Sequence, residues 1–190
     1  MKSITIEELL ELKPHCGEHH IRKIMGEKMN WTALDMLALE DISVDDRLRA
    51  VLCEELIDAP MLHEFACCCA EHVLLRAHNP NPRSIAAIEA KRGWLRGEVS
   101  DDQLDEAWDA AWNAIGFGYM LNSKWDFEEE AIARTAIFAT ARVGVLNAEL
   151  TAAWTAAWAA AWGVGQAVEQ AAERQWQIEL LISMLQGGET

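Results

Sequence analysis

The chain has 190 residues, 51% of them hydrophobic, and sets 16 Lys+Arg against 31 Asp+Glu for a formal net charge of −15. That balance disfavours unassisted binding to nucleic acid or an anionic membrane, both of which are negative themselves. Nine Trp and 30 Ala beside four Pro and one Tyr exclude a disordered tail, a collagen and a disulfide-stapled mini-protein.

From the N-terminus, MKSITIEELLELKP lacks the apolar core and small-residue cleavage site of a signal peptide. A cytoplasmic location is expected. The odd count of five Cys and the Cys67-Cys68-Cys69 triplet suit reduced thiols better than a disulfide framework. Thr5 with Glu8 has capping-box spacing, in which hydroxyl and carboxylate satisfy orphan N–H groups reciprocally. Helices are expected over 5–13, 17–28, 31–39, 44–57 and 60–78. Ser43 and Asp58 serve as N-cap candidates, with Pro60 in a first turn. Asn79-Pro80-Asn81-Pro82 then interrupts the chain. Beyond it helices are expected over 83–95, 101–121 (started by Ser100 with Gln103), 126–143 and 147–185. Alternating Val/Ile/Thr runs are missing, which argues against an all-β fold. The class is all-α: a single compact multi-helix bundle with long Ala/Trp-rich C-terminal helices.

Composition changes at the Asn-Pro repeat. All six His and all five Cys precede it, and eight of the nine Trp follow it. Residues 1–95 carry 11 basic and 16 acidic side chains, and residues 96–190 carry 5 and 15. The reading is a His/Cys-containing subregion, 1–78, and an Ala/Trp-rich acidic subregion, 79–190, of one fold. In the latter, AWDAAWNAIGFG (107–118) is echoed by AAWTAAWAAAWGVG (152–165). A four-residue spacing puts Trp108 with Trp112, and Trp154, Trp158 and Trp162, on single stripes. Ala on the other faces allows close helix approach, so the stripes read first as core and second as an exposed interface anchor. Leu150–Val168 holds no charge, yet Ala and Thr supply little insertion energy. It reads as a buried helix rather than a membrane span.

His63/Cys67 and Cys68/His72 each lie four apart, the spacing of two zinc ligands on one helix face. Against a metal site stand the absence of any CxxC or HExxH and the habit of Cys to fill apolar space. No cofactor is expected, with zinc on His63, Cys67, Cys68 and His72 as the alternative. Cys16 beside His15 or His19 would be the candidate nucleophile, but no orienting acid can be assigned. No catalytic residue is assigned. Gly116-Phe117-Gly118 and Gly163-Val164-Gly165 are expected at helix ends rather than after strands, so neither is a dinucleotide fingerprint.

Two acidic clusters remain: Glu98, Asp101, Asp102, Asp105, Glu106 and Asp109, then Asp126, Glu128, Glu129 and Glu130. Carboxylates in first turns meet the positive end of the helix dipole, which is the structural reading. The functional reading is complementarity to a protein partner with a basic surface.

LHEFACCCAEHVL (62–74), NPNPRSIAAIEAKRGWLRGEVSDDQL (79–104), the Ala/Trp arrays and ERQWQIELLISML (173–185) resemble a broad family of Ala/Trp-rich helical immunity proteins in phages and bacteria. The resemblance covers about two thirds of the chain. It implies a protein that binds and neutralises a partner, with no catalytic residues to carry over. Residues 1–61 fall outside it, which would place partner choice there. The leading expectation is therefore a non-catalytic acidic helical protein that neutralises a toxin or a host or phage defence component. The alternatives are an oligomeric module sequestering a small nucleotide-like signalling molecule, and a metal-dependent enzyme using the His/Cys region.

Overall fold

The computed structural model describes residues 2–11, 22, 25–26, 28–76, 80–121, 139 and 167–187. The described elements are β1 (Ser3–Ile4), α1 (Ile6–Glu11), β2 (Trp31–Thr32), α2 (Ala33–Leu37), α3 (Val44–Val51), α4 (Ala59–Leu74), α5 (Pro82–Leu95), α6 (Asp101–Leu121) and α7 (Ala167–Leu185). The class is all-α, with one two-stranded bridge among the described residues. The helix expected over 126–143 lies outside them except at position 139, as do most of 17–28 and residues 147–166 of the helix expected over 147–185. The chain divides into two compact units, Met1–Leu62 with Ile178–Thr190, and His63–Gln177. The division falls inside α4 and α7, and the Asn-Pro repeat lies within the second unit.

In the first unit Thr5 and Glu8 form the expected box. Glu8 Oε2 accepts from Thr5 N at 2.8 Å, and Thr5 Oγ1 accepts from Glu8 N at 3.2 Å. The expected helix over 31–39 needs correction. Trp31 and Thr32 pair antiparallel with Ile4 and Ser3, and α2 begins only at Ala33. Thr32 is the N-cap, at φ −95 and ψ 165, and an N-cap is extended by nature. Its hydroxyl and the Asp35 carboxylate complete a second capping box, and extension buries Ile4 and Trp31 together.

The helix expected over 44–57 stops at Val51. Leu52 leaves the helical region at ψ 59, and Lys2 Nζ donates to the Glu54 carbonyl at 2.6 Å, a group that a continuing helix would need internally. Asp58 is likewise drawn to Lys2, 2.8 Å from its Nζ. Leu48, Val51, Leu52, Leu56 and Ile57 are all buried in this unit.

In the second unit Phe65, Ala66, Cys67, Cys69, Ala70 and Val73 give α4 its fully buried side. Asn81 caps α5 by accepting from Arg83 N at 3.0 Å, with Pro82 in the first turn. At its other end Gly97 takes φ 74, donating to Trp94 O while Glu98 N donates to Gly93 O. This pair of bonds is a Schellman stop, which requires a left-handed residue. It turns the chain so tightly that a Cβ on Gly93 would lie 2.6 Å from Val99 Cγ2. Ser100 and Gln103 then start α6 as expected. The glycines at 116 and 118 do not end it: α6 continues to Leu121. No described helix is long and apolar enough to cross a membrane.

Candidate functional site

The α6 sequence sorts its residues by angle. Leu104 and Ala111 are fully buried, and Trp108 packs against Ala87 of α5 and Ala111. Asp101, Asp102, Asp105, Glu106 and Asp109 are all exposed. Positions 102, 106, 109 and 113 follow the i, i+4, i+7 spacing of one stripe, so the carboxylates form a continuous acidic face. At its C-terminal side Trp112 is 48% exposed and stacks on Trp108, with ring centroids 5.4 Å apart and planes 15° apart. The two indoles share a stripe, as their spacing implies, but the drift between them carries Trp112 toward solvent. Sequence neighbours do not separate it from partly buried Trp108, since each indole has a polar residue after it and an Asp three before it, Asp109 and Asp105 for Trp108, Asn113 and Asp109 for Trp112. Beside it, Asn81, Arg83, Asn113 and Ala114 line an open cleft of about 650 Å³.

Not every expected partner-binding residue is simply presented to solvent. Asp101 Oδ1 accepts from Trp94 Nε1 at 2.7 Å, joining the start of α6 to the end of α5. Glu98 is held by Arg96 at 2.7 Å, and this bond keeps its carboxyl below the usual range. Asp126, Glu128, Glu129 and Glu130 lie outside the described residues, as do Cys16, His15, His19, Trp154, Trp158 and Trp162.

The four expected metal ligands on α4 go to separate neighbourhoods. His63 meets Trp94 edge-on, centroids 5.9 Å apart. Burial and then the charge of Lys91 push its imidazole down to about 4. Cys67 is fully buried, and burial pushes its thiol up to about 12. Cys68 contacts Glu64 Oε1 and Arg92 Nη2, each at 3.6 Å, and burial pushes it up to about 11. Both thiols stay protonated in these surroundings at neutral pH, a poor state for a nucleophile. Among the described residues no group of three or more His, Cys, Asp and Glu is placed to hold a metal ion, and the four described cysteines are free.

His72 instead meets α7. Its Nδ1 lies 3.0 Å from Glu173 Oε2 without an aligned hydrogen bond, and its ring lies on Trp176 at 3.7 Å. The Glu173 side chain is fully buried. Its Oε1 accepts from Gln177 Nε2 at 3.0 Å, and Gln177 accepts from Arg174 at 3.1 Å. Nothing local marks Glu173 as buried, because its partner His72 lies about a hundred residues earlier in the chain. Elsewhere on α4, Arg92 bridges Glu64 at 2.9 Å and Glu71 at 3.0 Å. These charged groups brace helices, and among the described residues of the second unit the densest row of exposed carboxylates is on α6. No protein-family model, curated protein or solved structure matches the chain.

Proposed function

We propose that the protein acts by binding: it docks the acidic face of α6 on a basic surface of a toxin or of a host or phage defence component and neutralises it. The observation that carries this reading is the row of exposed carboxylates, Asp101 to Asp109, ending at a half-exposed Trp112. Aligned charge steers a basic partner and suppresses wrong ones, while a Trp at the edge of a charged face is the residue type that anchors interfaces. The resemblance to immunity proteins points the same way.

The test is native mass spectrometry on protein gently affinity-purified from cells carrying its natural context. The wild type is compared with D102K/E106K/D109K, which spares Asp101 and its bond to Trp94. The expected outcome is a basic subunit that co-purifies with the wild type, is lost with the variant, and whose toxicity the wild type relieves in a growth assay. The same subunits on both proteins would sink the surface. The alternative of a ligand-binding module needs a site that encloses its ligand, and the cleft beside Trp112 is open. A small mass present only in the native spectrum would favour that alternative.

A further inference from the structure

We infer that the acidic face recognises arginine in its partner rather than positive charge in general, with Trp112 as the plate that receives the guanidinium. The inference rests on the docking reading above and names the chemistry of its partner. One face of the Trp112 ring is taken by Trp108, and Trp108 is rooted on Ala87 and Ala111, both fully buried. An indole backed in this way is held out from the helix while staying 48% exposed. Asp109 lies one turn before Trp112 and Asp105 two turns before, so a cation laid on the ring also sits in the field of carboxylates on the same side of α6.

Lysine and arginine use such a place differently. A guanidinium stacks its plane on an indole and keeps its edge N–H groups free for a carboxylate, whereas an ammonium has one compact, strongly hydrated head. Ring and carboxylate one turn apart therefore reward arginine with two contacts at once.

Oligo-arginine and oligo-lysine peptides of equal length serve as probes, measured by calorimetry at low ionic strength. The wild type is expected to bind oligo-arginine about two- to five-fold more tightly than oligo-lysine, the size of an exposed cation–π contact. In W112L that ratio should fall to about one, and W112F, which keeps a ring, should restore most of it. D102K/E106K/D109K should weaken both peptides. Equal affinities in the wild type, or a preference that survives W112L, would overturn the arginine inference and leave the docking face standing. Peptide binding that ignores the triple charge reversal would overturn the docking face itself.

Discussion

Trp94 shows how one residue can bind a neighbourhood together. Its indole N–H is spent on Asp101, the ammonium of fully buried Lys91 lies 4.2 Å from its ring centroid, and His63 meets it edge-on. Burial of the imidazole, whose Nδ1 has no hydrogen-bond partner, and then the neighbouring Lys91 charge both oppose protonation of His63. Its pKa of about 4, against an ordinary 6.5, makes the fold acid-sensitive in a definite window. Above 6.5 both folded and unfolded states hold His63 neutral, and there is no penalty. Between 6.5 and about 4 the unfolded chain binds a proton that the folded one refuses, so stability falls as pH falls. Below about 4 both states are protonated and this contribution stops changing. Urea midpoints measured across that window should therefore slope less steeply in H63Q than in the wild type. An unchanged slope would mean that His63 is hydrated and titrates normally.

At the scale of elements, α6 depends on its first turn to present the acidic face. Ser100 N donates to Gln103 Oε1 at 2.9 Å and Gln103 N donates to Ser100 Oγ at 3.3 Å, while Asp101 and Asp102 sit at the positive end of the helix dipole. S100A should cost about 1 kcal/mol, as cap removals do. Faster amide exchange should be confined to the first turn, and S100D should restore protection. Uniformly faster exchange along α6 would show that the cap supports the whole helix rather than its end. Start signals of this kind are written locally, which is why Thr5, Ser43 (whose Oγ accepts from Asp46 N at 3.2 Å) and Ser100 are legible as caps and the expected limits of α6 match the observed ones. The short bridge of Ser3–Ile4 with Trp31–Thr32 is not legible, because two residues carry no periodicity and their pairing is settled by burial of Ile4 against Trp31. Glu54 lost its expected place in a helix to Lys2, which takes its carbonyl from 52 residues away, while Asp58 keeps the position before α4, its own carbonyl accepting from Leu62 N. The same limit hid Glu173, whose surroundings read as one turn of an amphipathic helix until His72 arrives from α4. On the acidic face the carboxylates were legible one by one, and what the sequence left open was which Trp faces solvent.

Over the whole molecule the net charge of −15 acts on folding and on binding with opposite signs of salt dependence. Like charges repel across distances comparable to the Debye length, about 30 Å at 0.01 M salt and about 3 Å at 1 M, so dilute buffer penalises the folded chain. The ion pairs that salt would weaken include Lys2–Asp58 and Arg96–Glu98, whose side chains are largely exposed. Exposed pairs contribute only about 0–1 kcal/mol each. Glu173 is buried and little affected by screening. Self-repulsion should therefore outweigh the lost pairs. The thermal midpoint should rise by a few degrees as sodium chloride increases from about 0.02 M to about 0.5 M, most steeply at the dilute end where screening changes fastest. Chloride is the salt of choice because sulfate would raise the midpoint by strengthening apolar burial instead. D102K/E106K/D109K removes three negative charges and adds three positive ones, so its midpoint should climb less over the same range. Affinity for a basic partner must move the other way and weaken with salt, since screening removes the attraction that docks it. A midpoint that falls with salt would show that paired charges, rather than the excess of carboxylates, set the electrostatic balance of the fold.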